Sequence, residues 1–272
     1  MALNDAPLGK TSDYPDSYDP GLLFPVAREE NRRRLGLDDG RWPWFGEDLW
    51  QAWEISWLRS SGVPEVAWAE IVFPAASPSI IESKSLKLYL NSLNQALYSS
   101  REQVAEVIAQ DLSSACGGAV QVNLLSVDES GEAIGRPAGF ELIDDEPVSD
   151  VVYEYSPGSL KAGKDIVTEQ LCSHLLKSNC PVTGQPDWAT LLVSYTGPKI
   201  DRAGLLRYVV SFRQKQDFHE HCVETVFTDL MSRCDPESLT VVARYTRRGG
   251  LDINPWRSTE TGKDVGPRLI RQ

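Results

Sequence analysis

The residue best suited to act as a nucleophile is Cys180, in the stretch SNCPVTGQPDW at 178–188. Two prolines and a glycine follow it, a composition that predicts a turn. A thiolate is the reactive form of cysteine, and with a pKa of about 8.5 a free thiol is mostly protonated at neutral pH unless its site assists it. Asp187, if partly buried, could hold a proton near neutrality and act as a general acid or base. The spacing alone favours a structural interpretation, a loop thiol with a turn-capping aspartate.

A second candidate is the segment FHEHCVE at 218–224, where His219 and Glu220 stand at the start of a predicted helix. The unpaired backbone N–H groups of a helix start form a polar pocket. The carboxylate of Glu220 can accept paired N–H donors from a planar heterocycle, and His219 offers a neighbouring donor or acceptor. A first-turn glutamate favoured by the helix dipole, beside a solvent-facing histidine, is the simpler interpretation of this segment alone.

Two cationic stretches stand out in a chain with a net charge of −12, namely ESKSLKLY at 82–89 and RYTRRGG at 244–250. The first lies in a run whose alternating apolar residues predict a strand with a solvated, charged face. In the second, Arg247 and Arg248 precede two glycines, which permit close backbone approach. Both are candidates for holding an anionic cofactor. The chain has no GxGxxG after a strand and no GxxxxGK[ST], so such a site is neither Rossmann-like nor a P-loop.

Composition limits the remaining function classes. The chain has 272 residues, 41% of them hydrophobic and 24% charged. Its acidic balance argues against nucleic-acid binding, and no apolar run approaches the ~18 residues of a membrane span. The N-terminal sequence lacks the pattern of a signal peptide, so we expect a cytoplasmic protein whose five cysteines are free thiols. The absence of CxxC and HExxH spacing predicts no metal site.

The chain reads as an N-terminal arm at 1–60, rich in tryptophan and predicted to wrap the protein or contact another subunit, followed by two similar units at 61–148 and 149–272. Each unit has the predicted order strand, strand, helix, strand, with helices at 100–114 and 218–232. At a constant offset of 119 residues, five identities support a duplication. The matched pairs are Tyr89 with Tyr208, Ser92 with Ser211, Gln95 with Gln214, Val104 with Val223 and Val107 with Val226.

An additional helix is predicted at 164–179, just before Cys180. Ile166, Leu171, Leu175 and Leu176 fall on one face at helical spacing. The C-terminal end of such a helix would disfavour a thiolate beside it, so an activating group would have to come from elsewhere in the fold.

Together these stretches resemble one family, the NADPH-dependent nitrile reductases that act on 7-cyano-7-deazaguanine (preQ0), known as QueF. ESKSLKLY matches every position of the family signature E-(S/L)-K-(S/A)-x-K-(L/Y)-(Y/F/W), while SNCPVTGQPDW and FHE are similar to its nucleophile loop and its substrate-binding segment. The resemblance extends from about residue 20 onward and matches the long form of the family. It implies an α+β fold of tandem tunnelling-fold (T-fold) units, with antiparallel sheets and helices packed on one face, and a homodimer.

The resemblance also implies roles for individual residues. Cys180 corresponds to the nucleophile that adds to the nitrile and Asp187 to the proton donor. The positions that match substrate contacts are Ile81, Glu82, Ser83, His219 and Glu220, and those that match NADPH contacts are Ser83, Lys84, Arg248 and Gly249. The implied reaction converts preQ0 to the aminomethyl compound preQ1 with two NADPH, in queuosine biosynthesis for tRNA. No metal is implied.

Two other functions fit the same residues. A cysteine-dependent hydrolase would use Cys180 and a histidine to form an intermediate that water resolves, without a nicotinamide. A non-catalytic T-fold protein that binds purines or pterins would use Glu220 as an anchor and leave Cys180 inert.

Overall fold

The computed structural model describes residues 17–37, 40–129, 134–135, 137–262 and 265–272. Its strands are β1 Pro25–Ala27, β2 Phe45–Arg59, β3 Pro64–Pro74, β4 Ser79–Ile81, β5 Leu97–Tyr98, β6 Gln121–Leu125, β7 Ile134–Gly135, β8 Glu141–Leu142, β9 Ala162–Asn179, β10 Pro186–Ile200, β11 Ser238–Tyr245, β12 Leu251–Ser258 and β13 Arg268–Leu269. Its helices are α1 Glu29–Arg34, α2 Ser83–Ser92, α3 Arg101–Cys116, α4 Arg202–Ser211 and α5 His219–Cys234. Among the residues described, no helix is both long and apolar enough to cross a membrane.

The chain forms two compact units. The first comprises 1–34, 47–131 and 247–253, and the second 35–46, 132–246 and 254–272. This division differs from the predicted arm at 1–60 and units at 61–148 and 149–272, because β2 pairs with β3 along most of its length. Trp50 and Trp57 of β2 are buried in the core of the first unit, and Trp44 is buried in the core of the second unit. Residues 1–16 of the predicted arm lie outside the described residues.

The first unit is built on the antiparallel neighbours β2, β3 and β6. Helices α2 and α3 pack against these strands through a shared apolar core that includes Trp50, Ile71, Leu86, Val104 and Ile108. The short strand β5 joins β2 in parallel, and β1 pairs with β4. This unit is therefore a mainly antiparallel sheet with two helices on one face.

The second unit repeats this plan. Strands β9, β10, β11 and β12 pair antiparallel in sequence order, and β8 adds to β9 in parallel. Helices α4 and α5 pack on the sheet through a core that includes Leu171, Leu191, Leu205, Val223 and Phe227. The long β9–β10 hairpin dominates this sheet, and its turn contains Cys180.

The predicted duplication is confirmed at the level of single helices. Both bounds of α4 lie 119 residues after those of α2, and a short 3-10 helix follows each of them. The hydrogen bonds repeat as well. Tyr89 on α2 donates to Asp111 on α3 at 2.6 Å, and Tyr208 on α4 donates to Asp229 on α5.

Two predicted elements have the wrong type. The run after Ile81, predicted as a strand, is helix α2, because the buried carboxylate of Glu82 caps it and Leu86, Tyr89 and Leu90 share the buried face of a helix. The equivalent run of the second unit is helix α4 rather than a strand. Leu86, Leu88 and Leu90 recur at every second position, a spacing that predicts a strand but also occurs in this capped helix.

The predicted helix at 164–179 is also wrong, because these residues belong to strand β9. A bulge opposite Thr190, between the pairs Ala189–Leu176 and Leu191–Ser173, shifts the register. The extra residue lets Leu171 and Leu176 face the same core although they differ in parity along the strand. This bulge produced the helix-like spacing, and Cys180 consequently follows a strand rather than a helix.

Candidate active site

Cys180 lies in the turn that joins β9 to β10, as the sequence predicted. Its N–H donates to the carbonyl of Gln185 at 2.8 Å, and its carbonyl accepts from the N–H of Gly184 at 2.9 Å. Gly184 has a φ of +69°, a conformation that favours glycine. Cys180 is only 3% exposed. The turn therefore holds the thiol inside the protein rather than on a solvent-facing loop.

Backbone hydrogen bonds tie this turn to the start of helix α5. The N–H of Asn179 donates to the carbonyl of Lys215 at 2.9 Å, and its carbonyl accepts from the N–H of Asp217 at 3.0 Å. Helix α5 begins two residues later with His219 and Glu220. The hairpin turn and the first turn of α5 are thus fixed beside one another within the second unit.

Asp187 and His219 form the titratable pair of this site. Asp187 is the second residue of β10, is 6% exposed and pairs in register with Ser178 on β9. Its Oδ2 lies 3.4 Å from Nε2 of His219, whose side chain is 11% exposed. A buried carboxylate and an imidazole at this separation can hold and transfer a proton once a substrate lies against them.

Glu220 is the second buried carboxylate of the site. It is 2% exposed and lies in the first turn of α5, where the helix dipole stabilises negative charge. One turn further along the helix, Glu224 forms a fully buried ion pair with Arg257, with an N–O distance of 3.0 Å. A carboxylate such as that of Glu220 can accept hydrogen bonds from a ligand with adjacent N–H donors.

The entry to α5 carries a further charged group, Asp217. Its carboxylate contacts Nδ1 of His221 at 3.1 Å and Nζ of Lys215 at 2.5 Å. Burial acts to raise the pKa of Asp217, but the hydrogen bond and charge of His221 and the charge of Lys215 outweigh it and hold this pKa below its usual value. Asp217 is therefore ionised at neutral pH and anchors the helix start.

The other four thiols are poor nucleophiles. Burial raises the pKa of Cys172 and of Cys234 to about 11, and burial followed by the charge of Asp217 raises that of Cys222 to about 12. Burial likewise raises the pKa of Cys116. These thiols remain protonated at neutral pH, so that they act as small apolar side chains, Cys116, Cys222 and Cys234 in the two main cores and Cys172 in a smaller cluster with Leu192, Val242 and Trp256.

In the first unit, the signature residue Glu82 caps helix α2. Its carboxylate accepts the N–H of Lys84 at 2.8 Å and that of Ser85 at 2.9 Å, and Ser83 is the first residue of the helix. Burial raises the pKa of Glu82, although these hydrogen bonds and the nearby charge of Arg248 act in the opposite direction. Glu82 is thus a buried acid at a helix start, within electrostatic reach of the second cationic stretch.

That stretch turns tightly between β11 and β12. The N–H of Arg248 donates to Leu251 at 2.9 Å and the N–H of Leu251 donates back at 3.2 Å, across Gly249 with φ +62° and Gly250 with φ +81°. Positive φ at both central residues defines a type I′ turn. A Cβ at Gly249 would lie 4.0 Å from Nζ of Lys87 on α2, so the turn faces α2, the helix that carries the family signature.

A cavity of about 280 Å³ lies between this turn and α2. Lys87, Gly249 and Gly250 line it, together with Trp53 and Glu54 of β2. Arg247 covers the ring of Trp53 at 4.5 Å from its centroid. Cations around a glycine turn with exposed backbone are the arrangement expected for a ligand that carries phosphate groups.

Two family profiles match the chain. "Nitrile reductase, 7-cyano-7-deazaguanine-reductase N-term" covers residues 14–124, and "QueF-like protein" covers 186–264. The chain belongs to the QueF nitrile reductase family. The fold predicted from the resemblance, α+β with tandem T-fold units, is confirmed, and each QueF profile falls on one half of the duplication.

Three QueF relatives are described as "NADPH-dependent 7-cyano-7-deazaguanine reductase". The protein of Chromohalobacter salexigens is 54% identical over 271 residues, which cover 99% of this chain and 98% of that one. Those of Desulfotalea psychrophila and Bordetella pertussis are each 51% identical, and the matches cover 98% and 100% of this chain and 97% and 100% of theirs. A solved structure, the archaeosine synthase QueF-Like in the apo form, matches 36% of this chain and 96% of its own at 16% identity with a TM-score of 0.31.

The structure places the predicted site residues of this QueF member in two groups. The second unit contains Cys180, Asp187, His219 and Glu220, and the first unit contains Ile81, Glu82, Ser83, Lys84, Arg248 and Gly249. Sequence reasoning missed one residue beside the site in the second unit, Tyr245. The centroid of its ring lies 3.9 Å from that of the His219 imidazole. The alternation in LTVVARYT was the available signal, since it places Tyr245 on the same side of β11 as the buried Ala243.

Proposed function

We propose that this protein is an NADPH-dependent 7-cyano-7-deazaguanine reductase, which converts the nitrile of preQ0 to the aminomethyl group of preQ1. The full-length similarity to three proteins of that description supports this proposal. The observation that carries it is the burial of Cys180 in a hairpin turn tied to the helix start that bears His219, which pairs with Asp187. The cysteine hydrolase and the non-catalytic binding protein are not favoured.

The first chemical step in this proposal is addition of Cys180 to the nitrile carbon. A bond forms between sulfur and carbon as the S–H bond of Cys180 breaks, one π bond of the nitrile breaks, and its nitrogen takes a proton from Asp187. The proton that the thiol gives up replaces the one lost by Asp187, so the step adds one whole preQ0 to the protein. The product is a thioimide, a better hydride acceptor than the nitrile, so that one difficult step becomes two easier ones. His219 lies 3.4 Å from Asp187, so its imidazole can exchange a proton with that carboxyl group.

The residues near the glycine turn fit NADPH. We propose that Ser83, Lys84, Arg248 and Gly249 hold it, because they combine a helix start, two cations and a glycine turn with positive φ. NADPH supplies hydride, one per molecule, and a nitrile needs two. A tight turn of glycines allows backbone groups to approach a phosphate closely.

After the first reduction, the bond between Cys180 and the substrate carbon breaks and the thiol returns to its starting form. The imine that remains is sensitive to water, and the site must retain it until the second reduction. Cys180, Asp187 and Glu220 are all less than 10% exposed, so the second unit buries its part of the site. Exclusion of water from such a site prevents hydrolysis of the imine.

Recognition of the deazaguanine falls to Glu220 and His219 in this proposal. The carboxylate of Glu220 can accept two N–H donors from the pyrimidine edge of the base, a charge-assisted pair of hydrogen bonds. Ile81, Glu82 and Ser83, at the end of β4 and the start of α2, are the further substrate contacts that we propose from the family signature. The homodimer and the cytoplasmic location remain predictions from the sequence, as does the absence of nucleic-acid and membrane partners.

Intact-protein mass spectrometry with preQ0 and without NADPH tests the covalent step. Addition to a nitrile has no leaving group, so we expect a mass increase equal to one preQ0. The increase should be absent in Cys180→Ala and present in Cys222→Ala, which removes a buried thiol of α5. An adduct that persists in Cys180→Ala, or NADPH oxidation by that variant, would contradict the proposed nucleophile.

A further inference from the structure

We propose that Tyr245 is a positioning residue, whose ring fixes the imidazole of His219 so that Nε2 faces Asp187. This inference rests on the proposed roles of His219 and Asp187. It adds a residue from the last strand before the glycine turn, and it assigns the task to the aromatic ring rather than to the hydroxyl group.

The sheet register places Tyr245 next to Asp187. Tyr245 on β11 is the partner of Ala189 on β10, and Ala189 and Asp187 are two residues apart on one strand. Side chains two apart on a strand share a face, so Tyr245 and Asp187 lie diagonally adjacent on the same side of the sheet. Ser178 on β9 is the partner of Asp187 on its other side.

The imidazole of His219 lies over this group. Its centroid is 3.9 Å from that of the Tyr245 ring, with an interplanar angle of 34°, and its Nε2 is 3.4 Å from Oδ2 of Asp187. Aromatic rings in contact attract one another beyond the burial of their area. The stack therefore restricts rotation of the imidazole while its nitrogen remains beside the carboxylate.

The hydroxyl group of Tyr245 has no part in this task. Burial raises the pKa of Tyr245 well above its usual value, so the side chain stays neutral and does not exchange protons with Asp187. Its Oη is buried near Ser178 and Cys222 without a hydrogen bond of ordinary geometry. Removing this hydroxyl is consequently a mild change, whereas removing the ring takes away the surface on which His219 rests.

Steady-state kinetics of three variants provides the first test. Tyr245→Phe keeps the ring and should retain kcat within about threefold. Tyr245→Leu removes the ring and should lower kcat by about tenfold or more, because a displaced catalytic group costs up to ~100-fold. Tyr195→Leu is the matched control, since Tyr195 is a buried tyrosine of β10 that bonds Glu169 instead of a site residue. Equal losses of kcat in Tyr245→Leu and Tyr195→Leu would overturn the proposal.

A double-mutant cycle separates positioning from general damage. If Tyr245 acts through His219, Tyr245→Leu should have no further effect on kcat in a His219→Ala background. If the substitution costs the same factor in both backgrounds, the residue has only a structural role and the inference is wrong.

Nuclear magnetic resonance tests the stack without reference to activity. The chain has three histidines, so single His→Ala variants assign each imidazole resonance. The ring current of Tyr245 should shift the His219 protons upfield in the wild type and in Tyr245→Phe, and the shift should vanish in Tyr245→Leu or, should that variant fail to fold, in Tyr245→Met. An unchanged His219 spectrum in the folded variant would refute the contact. A protein that shows the shift but does not reduce preQ0 would contradict the proposed function and leave the stack standing.

Discussion

The capping role of Glu82 makes a quantitative prediction. The Glu82→Ala substitution removes the acceptor for two backbone N–H groups at the start of α2, those of Lys84 and Ser85. Loss of a capping side chain costs about 0.5–2 kcal/mol, and a buried donor left without a partner about 1–3 kcal/mol. Because water can reach part of the first turn after truncation, we expect a loss near the overlap of these ranges, about 2 kcal/mol. This corresponds to a fall in Tm of roughly 4–8 °C for a chain of this size.

The duplication supplies a matched control for this prediction. Asp201 occupies the equivalent position before α4, 119 residues later, but its side chain makes no capping hydrogen bond and is 47% exposed. We expect Asp201→Ala to lower the free energy of unfolding by about 0.5 kcal/mol or less, as exposed substitutions do. Glu82→Gln, which keeps one oxygen acceptor, should fall between the two.

Thermal unfolding measures the difference between these variants, and amide hydrogen exchange locates it. Exchange at Lys84 and Ser85 should accelerate in Glu82→Ala, whereas the first turn of α4 should be unaffected in Asp201→Ala. Equal stability losses in the two alanine variants, or unchanged exchange at the start of α2, would refute the view that Glu82 holds this helix in place.

Further predictions concern the binding residues and the charged groups. Glu220→Ala should weaken preQ0 binding by about 2 kcal/mol, roughly 30-fold, and an unchanged affinity in calorimetry would remove Glu220 from the site. Cys222, with a pKa of about 12, should resist iodoacetamide at pH 7.5 until the protein unfolds, as peptide mapping can show. The lowered pKa of Asp217 stabilises the fold at pH values above the pKa of an unfolded aspartate, about 4, and this contribution is lost as the pH falls through the folded pKa. The difference in the free energy of unfolding between the wild type and Asp217→Asn should therefore decrease in acid. A difference that stays constant with pH in denaturant titrations would contradict this coupling of stability to the charge of Asp217. Gly249→Ala should cost about 1–2 kcal/mol from its φ of +62° and raise the KM for NADPH, whereas Gly36→Ala, at a φ of +75°, should cost the same without changing that KM.

The sequence was most informative where a local signal and the tertiary structure agree. The turn at Cys180 was predicted from its prolines and glycine, and helix α5 from its apolar spacing, since both depend on nearby residues. The duplication was predicted from five identities and extends to the bounds of α2 and α4. The motifs placed Asp187 and His219 among the candidates, and the fold brings them to 3.4 Å.

Other features required the folded chain. The bulge in β9 is set by pairing with β10, and it made a strand resemble a helix. The identity of α2 depends on the carboxylate of Glu82 turning back onto the backbone, which alternation of apolar residues cannot reveal. The sequence did not predict a role for Tyr245, because its contact with His219 joins β11 to α5 and depends on the sheet register.

The most direct test of the proposed function is the stoichiometry of the reaction. Purified protein is incubated with preQ0 and excess NADPH, and NADPH oxidation and preQ1 formation are measured in the same sample. Reduction of a nitrile to an amine takes two hydrides, so we predict two NADPH oxidised for each preQ1 formed, with no oxidation in Cys180→Ala. Binding or hydrolysis of preQ0 without NADPH oxidation would contradict the assignment as a nitrile reductase.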